Sequence, residues 1–115
     1  MPISEALQTT VIDYTILDEM RDLLEDEFDE LVEEYKEDSQ QMLEQLTRAV
    51  ESSSLEQITT LCHTLSSSSA HMGFLQLAQV AKAIENMARE QSQQDYAELS
   101  TQLQQCYQQL LTQLG

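Results

Sequence analysis

Few side chains in this 115-residue sequence have the types and spacing to do chemistry. They are two histidines, His63 and His71, two cysteines, Cys62 and Cys106, and a large excess of carboxylates. As metal ligands they are badly placed. Neighbours on a helix point about 100° apart, so Cys62 and His63 cannot close on one ion, and His63 and His71 are two turns, about 12 Å, from each other. A serine hydrolase needs a strained nucleophile turn and an oxyanion hole, and the only glycines are Gly73 and Gly115. The same shortage excludes the glycine-rich phosphate cradles of dinucleotide and P-loop sites. Paired carboxylates act as acid and base only where an apolar pocket splits their pKa values. Here they fall on the outer face of a helical pattern, where water solvates them. Cys62 and Cys106 both fall at apolar positions of helical stripes, which predicts buried, reduced thiols.

That leaves one imidazole in unusual company. At 100° per residue, Leu55, Ile58, Leu61, Cys62, Leu65, Ser69 and Met72 form one stripe, and His63 stands about 140° from its centre. It is expected in solvent at mid-helix. Its face carries Thr59, Thr60, Ser66, Ser67 and Ala70, all small and uncharged, and no Asp, Glu, Lys or Arg occurs in the 25 residues from Gln57 to Ala81. Exposed helix positions usually carry long charged side chains. Four consecutive serines, Ser66 to Ser69, also lower helix propensity by a few tenths of a kcal/mol each. Such a local penalty without a folding benefit points to a site. Small neutral side chains would let another protein approach the ring. His71, near the helix end, is read as structural or neutral.

The elements that position this residue are helical throughout. With 2 Gly and 1 Pro, the chain lacks the turn residues of a sandwich or barrel. Residues 1–11 read as a flexible lead-in and 12–115 as one domain. Asp13 or Thr15 can cap a short helix carrying Ile16, Leu17, Met20, Leu23 and Leu24, and a bend is expected near Leu24 to Glu27. A long acidic helix follows to Val50. Ser54 with Gln57, or Ser53 with Glu56, forms a capping box opening the His63 helix, and Gly73 is placed to end it. The next helix starts near Phe74, and Ser92 with Asp95 would cap the last one. The predicted fold is all-α: an antiparallel up-down four-helix bundle with a short N-terminal helix.

The segment from His63 to Ser69, with its His-x-Leu-x-x-Ser-Ser core, Gly73 ten residues after the histidine, then Leu77 and Ile84-Glu85, resembles the histidine-phosphotransfer (HPt) domain of multistep phosphorelays. The resemblance extends over about residues 12–114. It implies that His63 carries a phosphoryl group between receiver-domain aspartates of a hybrid sensor kinase and a response regulator. It implies a phosphocarrier without kinase activity, with Mg²⁺ belonging to the receiver partner and no cofactor of its own. Glu85 matches the position that hydrogen-bonds the ring. Two positions depart from the pattern: Ser66 stands where the family has Lys, and Ser67 where it has Gly. Lys82 and Arg89 share the Glu85 stripe, and the turn at Gly73 brings that stripe level with His63. Lys82 is therefore expected to take over the missing charge, or else to pair with Glu85 on its own helix. Ile16 and Met20 are expected to join the neutral face of the His63 helix in docking the partner. The alternative is a helical adaptor that binds a receiver without being phosphorylated.

The charge argues against polyanionic partners. Formal net charge is −16, with −13 in residues 1–51 and −3 in residues 52–115. Nucleic acid and anionic membranes would be repelled. No apolar run approaches 18 residues, and the N-terminus does not read as a signal peptide. A cytoplasmic monomer is expected.

Overall fold

The computed structural model describes residues 3–115. Helix α1 spans Ile3–Leu7, α2 Tyr14–Leu24, α3 Phe28–Glu51, α4 Leu55–His71, α5 Leu75–Arg89 and α6 Tyr96–Leu114; a 3-10 turn, Glu25–Glu27, joins α2 to α3. The four long helices α3 to α6 form an up-down bundle in which α4 sits between α3 and α5, and α6 closes the ring against α3. The bundle is 44 Å long and 25 by 21 Å across. No described helix is long and apolar enough to cross a membrane.

Local chemistry sets the boundaries. Asp13 caps α2, its carboxylate accepting from the N–H groups of Thr15 and Ile16. Ser54 caps α4 by accepting from Gln57 N–H at 3.3 Å. The last helix is capped by Asp95, which accepts from Glu98 N–H, and Ser92 has no part in that cap. The bend after α2 falls at Glu25, in a left-handed φ of 50° with no glycine to ease it.

The three turns of the bundle share one closure. The N–H of Ser54, Phe74 and Ser92 each bonds the carbonyl five residues back, on Ala49, Ser69 and Met87, at 2.9 Å. Each follows a left-handed residue, Ser53, Gly73 or Gln91. Glycine is required only at the middle turn. A Cβ on Gly73 would lie 2.8 Å from the Asp13 carbonyl oxygen and 3.1 Å from Ile16 Cβ, because α2 starts directly against this turn. Asp13 N–H also donates to Gly73 O at 2.8 Å.

The core runs the length of the bundle and includes Leu46, Ile58, Leu65, Leu77, Ile84 and Leu103. Tyr35 packs edge-on to Phe74 with ring centroids 5.0 Å apart, and its phenol pairs with Ser69 Oγ at 2.7 Å. Ser39, fully buried on α3, donates to the Tyr35 carbonyl and lies 2.9 Å from Tyr107 Oη of α6. These bonds satisfy hydroxyls that burial would otherwise penalise. Cys62 and Cys106 are buried free thiols, as their positions predicted.

The lead-in departs from expectation. Residues 1 and 2 of that segment lie outside the described residues, but Ile3–Leu7 form a helix rather than a flexible stretch. It packs on α5 with Ala6 fully buried, and Gln76 Nε2 donates to the Leu7 carbonyl at 2.8 Å. A five-residue helix has too little length to show a period, so only its seat on α5 defines it.

Candidate functional site

The register of α4 is fixed by Ile58, Cys62, Leu65 and Ser69, all turned into the core. His63 follows Cys62 by one residue, so its side chain swings out and is 58% exposed. Gly73 reverses the chain and lays α5 antiparallel beside α4. On α5, Ala78, Lys82, Glu85 and Arg89 recur at helical spacing and line the edge that faces His63. Two ties hold the pair in register: Ser66 Oγ donates to the Ala78 carbonyl at 2.8 Å, and His63 Nδ1 meets Glu85 Oε2 at 3.0 Å.

Glu85 is the centre of the cluster. Its side chain is fully buried, which alone would push the carboxyl up. Hydrogen bonds from His63 and Arg89, together with the nearby Lys82 ammonium, outweigh burial and hold it below the usual glutamate range. Arg89 donates to Oε2 at 2.5 Å, and Lys82 Nζ lies 3.3 Å from Oε1. An ionised carboxylate only accepts, so the proton of the facing imidazole sits on Nδ1. Nε2 is left with its lone pair directed away from Glu85. Beneath the ring, burial and then the Glu85 charge push the Cys62 thiol up to about 12, so it is not a nucleophile.

The structure thus brings His63, Ser66, Lys82 and Glu85 to one edge of the α4–α5 pair. It adds Arg89, which shared the Glu85 stripe in the sequence and whose spacing of four residues from Glu85 was the available signal. Ser66 turns its hydroxyl toward α5 rather than outward. Ser67 is exposed on the other flank of α4. Thr60 and Ala70 are exposed, while Thr59 is half-buried with its hydroxyl bonded to the Leu55 carbonyl. Ile16 stands apart from the ring. Ile16 is half-buried against Gly73, ten residues and about 15 Å along the helix from His63, and Met20 packs on the core. A groove between α3 and α4, with Leu31, Met42 and Met72 in its floor, Thr64, Ser67 and His71 on its α4 side and Glu34 and Asp38 on its α3 side, opens on the flank of α4 away from α5. The helical pattern assigned those three apolar residues wholly to the core, and hid the groove.

The family model described as the Hpt domain matches residues 30–113. No curated protein matches the chain in sequence. Among solved structures, the chain is similar to the histidine-containing phosphotransfer protein B (HptB) of Pseudomonas aeruginosa PAO1, at 23% identity over 90% of each chain, with a TM-score of 0.85. It is also similar to the Saccharomyces cerevisiae histidine phosphotransfer signalling protein Ypd1, co-crystallised with the receiver domain of its downstream response regulator Ssk1. That match has 26% identity and a TM-score of 0.67, over 73% of this chain and 58% of that one. Ypd1 alone gives 26% identity and a TM-score of 0.68, with 54% of the yeast chain covered.

Proposed function

The chain belongs to the Hpt domain family of phosphorelay phosphotransfer proteins, and on that premise we propose that His63 is its phosphoryl carrier. The observation that carries the reading is the hydrogen bond from Nδ1 to the buried Glu85, which orients the ring and leaves Nε2 free in solvent. The nucleophile is then in the correct tautomer before a partner arrives.

The donor is a receiver domain bearing an aspartyl phosphate. Nε2 attacks phosphorus in line, the N–P bond forms, the acyl O–P bond breaks, and its electron pair returns to the aspartate as carboxylate. Delivery to a second receiver is the reverse. Catalysis of this kind is mostly positioning and charge compensation. The receiver contributes Mg²⁺; this chain contributes the oriented ring and its flanking cations. The receiver docks on the neutral face of α4, Thr60, Ser67 and Ala70, and on the apolar floor of the adjoining groove. Small transient interfaces rest on a few such anchors. Ile16, beside Gly73, reaches that footprint only at its far margin.

The experiment is incubation with receiver domains carrying labelled aspartyl phosphate and Mg²⁺. The expected product is acid-labile, base-stable label on this chain, lost in His63→Gln and retained in His71→Gln. His63→Gln keeps its fold, since the ring is exposed and the amide can still reach Glu85. Binding without label would identify the chain as a receiver-binding adaptor.

A further inference from the structure

The chain has only five basic residues against 21 acidic ones, and two of the five converge on one carboxylate. Arg21, Lys36 and Arg48 lie elsewhere, the first two paired with Asp18 and Glu33 on their own helices and the third in the last turn of α3. One cation suffices to neutralise a buried glutamate, and Arg89 supplies it through a short hydrogen bond to Oε2, beside the imidazole. Lys82 is surplus. Its Nζ lies 3.3 Å from Oε1, yet Oε1 has no hydrogen-bond partner, so the contact is an ion pair without hydrogen-bond alignment. The Lys82 side chain is 46% exposed, and a pair this open contributes little to stability. With His63 neutral, the cluster of His63, Lys82, Glu85 and Arg89 carries a formal charge of about +1 on a molecule of −16. Lys82 helps to keep Glu85 ionised, but an ion pair this open and unaligned leaves the ammonium able to change partner.

We infer that Lys82 is the counter-charge of the phosphorylated state, exchanging Glu85 Oε1 for the phosphoryl oxygens once the group is on Nε2. The inference rests on His63 carrying the phosphoryl group. In the exchange Arg89 stays on Oε2, so Glu85 and the ring remain held while only the ammonium moves. The step is the transfer described above: the N–P bond forms, the acyl O–P bond breaks, the Nδ1 proton stays facing Glu85, and Lys82 changes partner without losing a proton. No residue of α4 competes for the role, because its exposed face has no cation from Gln57 to His71. A lysine suits it, since an ammonium on a four-carbon stem is a point charge that reorients freely, whereas the Arg89 fork is already committed. Because the pair exists only when phosphate is present, Lys82 stabilises the phosphorylated product. It therefore sets how label partitions at equilibrium between receiver and carrier, beyond any effect on rate.

The test measures forward rate and equilibrium partition with a receiver domain that labels the parent chain. Lys82→Gln and Lys82→Ala are expected to shift the partition toward the receiver by roughly tenfold, about 1.4 kcal/mol. Lys82→Arg is expected to stay within about threefold, and Ser66→Lys added to Lys82→Gln to restore most of the loss from the other helix. The parent–variant difference should shrink as NaCl rises, because both partners face solvent. A purely structural role through Glu85 predicts slower transfer at unchanged partition with no rescue by Ser66→Lys, and that result overturns the inference. Unchanged rate and partition in both neutral variants does the same. Absence of label on the parent with every receiver, or label that survives His63→Gln, overturns the phosphotransfer reading itself.

Discussion

Glu85 is a buried carboxylate with three donors or cations around it, and its ionisation is tied to folding. Its folded value lies below the ordinary one, so the stability it contributes is complete above the unfolded value, about 4.3, and drains away as pH falls through the lower folded value. Glu85→Gln leaves Lys82 and Arg89 without their counter-ion and should melt lower than the parent at pH 7. Thermal melts in acid should show that gap closing as pH falls below about 4.3. A gap that stays constant down to pH 3 would mean that the carboxylate does not contribute through its charge. At this scale much was legible. The wheel turned His63 outward because its neighbour Cys62 belongs to the core stripe, and counting from Gly73 placed Glu85 opposite it. Ser66 was not legible. Its hydroxyl bonds a carbonyl on α5, and nothing in a helical wheel records what the next helix offers.

Among the elements, the seat of α2 depends on an absence. Gly73 has no Cβ, and the Asp13 carbonyl and Ile16 side chain occupy that space. Gly73→Ala combines a left-handed alanine, about 1–2 kcal/mol, with a clash against backbone. A loss of at least about 2 kcal/mol, and a Tm lower by roughly 10 °C, should follow. Ser53→Gly and Gln91→Gly at the other two turns should leave Tm unchanged or slightly higher. If Gly73→Ala melts with the parent, α2 does not press on this turn. The sequence reading placed a bend between Leu24 and Glu27, where the joint between α2 and α3 falls, although no Gly or Pro marks it. It did not find α1, whose five residues are defined by Gln76 and the surface of α5. It treated Ile16 as free docking surface, because a wheel drawn for one helix cannot show a vacancy in another. Ile16→Asp should accordingly cost stability as well as any receiver affinity, and calorimetry alongside melting separates the two.

For the molecule as a whole, net charge of −13 in the first 51 residues against −3 in the rest makes one side of the bundle repel itself. The Debye length is about 30 Å at 0.01 M salt and about 8 Å at 0.15 M, so in dilute buffer repulsion acts across most of the 44 Å bundle, and in moderate salt only between neighbours. Tm is expected to rise by several degrees between those concentrations. A fall would show that the local pairs, Glu85 with its cations above all, outweigh the long-range repulsion. One feature of the interior makes such changes observable without a probe. The chain has four tyrosines and no tryptophan. Tyr35 ties α3 to α4 through Ser69, while Tyr107 ties α6 to α3 through Ser39. Both rings are rigidly held in asymmetric surroundings, so near-ultraviolet circular dichroism around 280 nm reports helix-to-helix packing on both sides of α3. Far-ultraviolet ellipticity would report only that the helices exist. Any variant whose aromatic bands match the parent's has kept the bundle's interior, and its effect on phosphate can be assigned to the surface that carries His63.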